Sequence, residues 1–233
     1  MNDRPVLRLR ARAGFSLLEI IVAVSILAIL AGVAVPVASS LFNSKARVAT
    51  TEELENLADA TSAFFRDTTT LPAAPGDLMV DPGTSGWSGP YVLLDVFDPV
   101  RGIPTSELDA WRNPIQFQTT GTSTMRLTSA GQDGSQGTSD DISLDVDVTP
   151  IRRAMTLDRL ERLNQAILLY NADHLPGAPL STTYASLLTT LVATGYLPTA
   201  TGYDADAWGD AFVVDPPGAN PVVRVASSNL PGY

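Results

Sequence analysis

Apolar residues run almost unbroken from Phe15 to Ala38, and between Phe15 and Ser44 the only charged side chain is Glu19. As a helix, Phe15–Val35 would span ~31 Å at about 1.5 Å per residue, close to one bilayer core. Beyond it the apolar positions thin to a helical period: Leu54, Leu57, Thr61, Phe64 and Phe65 recur with Glu52, Glu53, Glu55 and Asp59 between them. The pattern predicts one long helix from about Phe15 to Arg66, its first half in membrane and its second packed on a globular lobe. The run Asp67-Thr68-Thr69-Thr70-Leu71-Pro72 ends it. Leu160, Leu163, Ile167 and Tyr170 predict a second amphipathic helix, opened by Pro150-Ile151-Arg152-Arg153. Ile115-Gln116-Phe117 and Ala211-Phe212-Val213-Val214 predict β-rich segments, and the alternation of Asp145 and Asp147 with Leu144, Val146 and Val148 reads as a half-exposed strand or the start of a linker. The expected class is α+β.

The chain also repeats itself. Leu71-Pro72, Asp109-Ala110-Trp111 and Arg126-Leu127-Thr128-Ser129 return as Leu175-Pro176, Asp206-Ala207-Trp208 and Arg224-Val225-Ala226-Ser227. Trp to Arg is 15 residues in one copy and 16 in the other; Pro to Trp is 39 and 32. Two copies predict a duplicated lobe rather than a solenoid. The boundaries follow: residues 1–14, a membrane helix over 15–44, a globular lobe over 45–149 and a second over 150–233.

Composition excludes several chemistries. There is no cysteine, so no disulfide, thiol nucleophile or zinc–thiolate cluster. The formal net charge is −10, and setting aside the four arginines and one aspartate of residues 1–14 leaves 11 basic against 24 acidic residues. That balance argues against nucleic-acid binding. His174, the only histidine, sits in Asp173-His174-Leu175-Pro176, which predicts a turn, and nothing beside it suggests catalysis. With neither a Gly-x-Ser-x-Gly elbow nor a phosphate loop, no enzyme activity is expected. Trp87, Trp111 and Trp208 are expected as core anchors.

The head of the apolar run carries the sharpest signal. Arg4, Arg8, Arg10 and Arg12 precede it, and the next positive charges are Lys45 and Arg47. The positive-inside bias puts residues 1–14 in the cytoplasm and the bulk of the chain outside. A secretory signal carries a small-x-small cleavage site after its apolar core; here the small residue, Gly14, comes before it. Cleavage there would remove the arginines and keep the hydrophobic helix. Gly14-Phe15-Ser16-Leu17-Leu18-Glu19 resembles the class III signal of type IV prepilins and type II secretion pseudopilins. The resemblance implies cleavage after Gly14 by a prepilin peptidase, methylation of the new Phe15 amine, and a role in assembly for Glu19. A carboxylate in lipid needs a partner, and the Phe15 amine of a neighbouring subunit would supply one, setting the stagger of packed helices. Pro36 falls where many pilins carry a helix-kinking proline; whether it kinks the helix or ends it is open from sequence.

Gly86-Trp87-Ser88-Gly89-Pro90-Tyr91 and Asp109-Ala110-Trp111-Arg112-Asn113-Pro114 resemble two signature segments of the G-type major pseudopilin of type II secretion. Val92–Leu108 stands as an insertion between them. The loop from Ser129 to Ile142 is similar to that family's calcium loop. The resemblance implies Asp133, Asp140 and Asp141 as side-chain ligands, completed by backbone oxygens of Leu127 or Ser129. The residue types agree, since Ca²⁺ takes six to eight hard oxygens and Gly131, Gly134 and Gly137 let the backbone turn tightly. The EF-hand spacing is missing, and the loop is shorter than the family norm. The second copy ends without an acidic loop and is not expected to bind calcium.

The expected function is therefore structural: a single-pass inner-membrane subunit that joins copies of itself and other pseudopilins in a helical filament, with the prepilin peptidase and the inner-membrane assembly platform as further partners. Two further readings stay open at this point. One is a minor pseudopilin or type IV pilin subunit, since a second lobe would crowd a filament surface. The other is a membrane-anchored binding protein that uses a pilin-type leader for export.

Overall fold

The computed structural model describes residues 16–93 and 96–231; Gly14 and Phe15 lie outside them. Packing divides the chain into a unit up to Val48 and a second unit, Ala49–Tyr233. Helix α1, Leu17–Thr68, contributes to both. In the first unit its apolar side chains from Leu17 to Val37 are all half-exposed or more, as a helix hydrophobic all round requires when its surroundings are not water. Pro36 does not end α1. A proline inside a helix removes one backbone hydrogen bond, and α1 runs on through it.

In the second unit, α1 buries the face its period predicts. Leu54, Leu57, Thr61, Phe64 and Phe65 are each at most 1% exposed. They pack on a three-stranded antiparallel sheet of β1 (Gln116–Thr119), β2 (Thr124–Ser129) and β3 (Ile142–Asp147), ordered β1-β2-β3. Met125, Leu127 and Val146 point into this first core, while Arg126 and Asp145 pair on the solvent face at 2.7 Å. Fully burying each such apolar side chain is worth about 1.5–3 kcal/mol relative to exposure. Trp87 packs against this core and Trp208 against the second. Trp111 is half-buried and belongs to neither among the described residues.

Helix α2, Thr149–His174, starts directly after β3. Its first turns lend Ile151 and Met155 to the first core; Leu160, Leu163, Ala166, Ile167 and Tyr170 enter a second core. That core is closed by α3 (Tyr184–Ala193) and a two-stranded sheet, β4 (Val213–Asp215) with β5 (Arg224–Ala226). The outer edge of β5 is occupied by a side chain. Asn164 Oδ1 accepts from the Val225 N–H at 2.7 Å and its Nδ2 donates to the Val225 carbonyl at 3.2 Å, which satisfies an otherwise open strand edge.

One expectation is corrected. His174 is not in a turn: it is the last residue of α2, stacked on Tyr170 at 4.2 Å, because helical packing carries on to Leu175. The segment read as an insertion is anchored at one carboxylate. Asp98, 1% exposed, accepts from the backbone N–H groups of Val100 and Arg101 and from Arg112.

Candidate functional site

Two sets of residues carry the chemistry expected of this chain, the head of α1 and the acidic loop; the structure adds a third, the aspartates of the two Asp-Ala-Trp segments.

At the head of α1 the Ile20 N–H donates to the Ser16 carbonyl at 3.2 Å. Glu19 lies in the first helical turn, where the helix dipole favours a carboxylate. It is exposed and makes no hydrogen bond or ion pair with a described residue. The most apolar stretch of α1 has no residue buried, and that helix is long and apolar enough to cross a membrane. A carboxylate on such a surface is costly without a counter-charge.

The acidic loop, between β2 and β3, closes on itself. At Gly131 (φ +63°) a side chain would meet the Asp140 carbonyl at 2.5 Å, so only glycine fits. Asp140 accepts from the Asp133 N–H at 3.0 Å, Asp141 from the Gly137 N–H at 2.7 Å, and Asp133 from the Ser135 N–H at 2.7 Å. All three carboxylates converge on one hydroxyl. Thr138 Oγ1 lies 2.7 Å from an oxygen of Asp140 and 3.4 Å from one each of Asp133 and Asp141. A hydroxyl has one hydrogen to donate, so three carboxylates around it concentrate negative charge. Hydrogen bonds from Thr138 and then from the Asp133 N–H hold the Asp140 carboxyl below its ordinary pKa. The hard-oxygen donor set is the kind calcium takes. The loop is nonetheless closed on its own hydrogen bonds, and among the described residues no group of three or more His, Cys, Asp or Glu side chains is spaced to hold a metal ion. Leu127 lies in the middle of β2, between Phe117 and Leu144, and the Ser129 hydroxyl is committed to Asp109.

The Asp-Ala-Trp segments form matching clasps. Asp109 Oδ1 accepts from the N–H groups of Trp111 (2.9 Å) and Asn113 (2.7 Å), and its Oδ2 from the Ser129 hydroxyl at 2.6 Å. Asp206 does the same with Trp208 (2.9 Å), Asp210 (3.0 Å) and Ser227 (2.6 Å). In each, the alanine N–H donates to a buried helix threonine: Ala110 to Thr50 at 3.1 Å, Ala207 to Thr156 at 3.0 Å. Burial pushes the Asp206 carboxyl up, but donors from Asn229, Ser227, Asp210 and Trp208 hold it below its ordinary value. Sequence reasoning found the aspartates but not the threonines. A helix-interior threonine carries no signal of its own, although the repeat itself could have led to Thr156 from Thr50.

A single apolar helix headed by a carboxylate, continuing into a small antiparallel sheet, defines a subunit of the pilin class. The prokaryotic N-terminal methylation motif matches residues 9–35, and the family of type II secretion system (T2SS), protein G, matches residues 37–148. The chain is 34% identical over 129 residues to the type II secretion system core protein G of Xanthomonas campestris pv. campestris, an alignment covering 54% of this chain and 82% of that protein. No solved structure matches it at a significant level. The chain belongs to the protein G family of the type II secretion system, the G-type pseudopilins, and is a structural subunit of that system. Family membership carries assembly with other pseudopilins, and the one N-terminal apolar helix fits a single-pass anchor in the inner membrane.

Proposed function

We propose that this pseudopilin is cleaved after Gly14 by the prepilin peptidase and methylated on Phe15. It then leaves the membrane, by way of the assembly platform, for a filament in which Glu19 pairs with the Phe15 amine of a neighbour. The observation that carries this reading is the lone carboxylate in the first turn of an apolar, unburied helix, within the span of a matched methylation motif. The arginines before Gly14 favour a cytoplasmic N-terminus and an extracytoplasmic globular part. The role is structural and non-catalytic. Mass spectrometry of the mature protein tests the processing: a methylated Phe15 at the N-terminus is expected, and an intact residues 1–14 segment would refute it.

The acidic loop is the second element of the reading. Asp133, Asp140 and Asp141 would hold a calcium ion, with backbone oxygens of Leu127 or Ser129, and the ion would neutralise the charge gathered around Thr138. Support comes from the donor chemistry and the convergence of the three carboxylates. Calcium should raise the melting temperature of the full chain in detergent, and Asp133→Ala with Asp141→Ala should abolish that shift. A shift that survives the double substitution would rule out this site.

Residues 150–233 form, on this reading, a second lobe descended from a duplication of 45–149. Support comes from the matching clasps, with Thr156 in α2 taking the part that Thr50 takes in α1. The family match ends at Val148, just before α2.

A further inference from the structure

Arg152 is placed against two rules at once. It lies in the first turn of α2, where the helix dipole disfavours a cation, and it is only 9% exposed, where a charge needs compensation. Burial pushes its pKa down from the ordinary arginine value. Its compensation comes from three separate elements. Nη2 donates to the Thr122 carbonyl at 2.9 Å, in the turn between β1 and β2. Nη1 donates to the Ala207 carbonyl, inside the Asp206 clasp. The guanidinium lies over the Phe65 ring of α1, 4.6 Å from its centroid, within cation–π range. Its Nε has no partner, so the site is built around reach and direction rather than full satisfaction. Two of these elements belong to the first core and one to the second.

We propose that Arg152 is a positioning residue that locks the Asp206 clasp onto the β1–β2 turn, so that the two lobes move as one body. This rests on reading residues 150–233 as a second lobe. Along the chain the lobes are joined through helix α2, whose first turns sit in one core and later turns in the other. Lobes joined in that way move relative to each other unless a specific interface holds them. A subunit locked in this manner would carry its second lobe at one fixed bearing wherever the first lobe is placed.

The chain has no cysteine, so spin labels at Ser143→Cys on the exposed face of the first sheet and Thr189→Cys on α3 would be unique. Pulsed electron–electron resonance on the full chain in detergent, which does not depend on filament assembly, reads the distance between them. The parent should give one narrow distribution, Arg152→Met one roughly twofold broader, and Arg152→Lys a width in between. Far-UV circular dichroism and amide protection at Leu127 and Leu163 should stay unchanged, which separates a lost lock from a lost core. A narrow distribution in Arg152→Met would overturn the proposal, as would a broad one in the parent. Should Arg152→Met fail to fold, Arg152→Lys decides: parental width overturns the lock and broadening upholds it. If instead protection at Leu127 and Leu163 falls together in every variant, the two-lobe reading fails and the lock falls with it, an outcome distinct from a narrow distribution with protection intact.

Discussion

The clasps at Asp109 and Asp206 repeat the same hydrogen bonds to the carboxylate and from the alanine N–H and differ at two residues of the turn, and the differences show how one device was fitted to two surroundings. At the fourth position of each turn the backbone is left-handed, at Arg112 (φ +69°) and Gly209 (φ +94°). Glycine adopts that conformation at no steric cost, whereas arginine pays about 1–2 kcal/mol. The first clasp accepts the cost because Arg112 reaches the buried Asp98 and organises the Val92–Leu108 segment. At the fifth position donor and acceptor are exchanged. Asn113 donates to the Gly131 carbonyl at 2.7 Å, while Asp210 accepts from Asn229 at 2.8 Å. Asn229 also donates to Asp206 at 2.9 Å, so the second clasp ties its own tail where the first ties the acidic loop.

The largest effect should come from removing either carboxylate. Asp109→Ala and Asp206→Ala each strand several buried donors and should cost about 3 kcal/mol, read by chemical denaturation. Hydrogen exchange sharpens the comparison. Asp109→Ala should lower protection at Leu127 before Leu163, and Asp206→Ala the reverse; equal loss at both in each variant would mean one cooperative unit. Next come Thr50→Val and Thr156→Val, each leaving an alanine N–H without its threonine acceptor. A matched loss of about 1–2 kcal/mol is expected, and a large inequality would break the equivalence of the two helices. Gly209→Ala should cost about 1 kcal/mol through its positive φ, whereas Arg112→Gly relieves strain but forfeits the contact with Asp98. The ratio of the two measures what that contact is worth.

The smallest effect is on pH dependence. The Asp206 carboxyl is held below its ordinary range in the folded state. Its contribution is therefore full above the unfolded-state pKa and fades as pH falls through the folded value. Asp206→Asn should flatten that part of the stability profile below about pH 4, as measured by denaturation across the acid range. An unchanged slope would assign the acid sensitivity elsewhere.

Much of this was legible in the sequence. Leu54, Leu57, Phe64 and Phe65, and again Leu160, Leu163, Ile167 and Tyr170, announce their helices because burial selects one face at helical spacing, and all eight are buried. The strand around Val146 follows from alternation, and those around Phe117 and Val214 from runs of β-branched and aromatic residues. Helix α3 was not anticipated: its 10 residues mix Leu187, Leu188 and Leu191 with threonines and show too little period to separate it from a strand. Arg152 looked like an ordinary helix-start charge, because only the fold brings Thr122, Ala207 and Phe65 around it. In the acidic loop the ligand types were visible but the spacing was not. That spacing depends on Gly131 closing against Asp140. At the head of α1, Glu19 stood out on charge alone, while Gly14 and Phe15 lie outside the described residues.

Glu19 is proposed as an assembly residue and not a tolerated charge in a membrane anchor. The amount of Glu19→Ala protein in filaments sheared from cells, compared with its amount in the membrane fraction, separates the two. Parental membrane levels and loss of the variant from the filaments are expected. Incorporation at the parental level would contradict the assembly role.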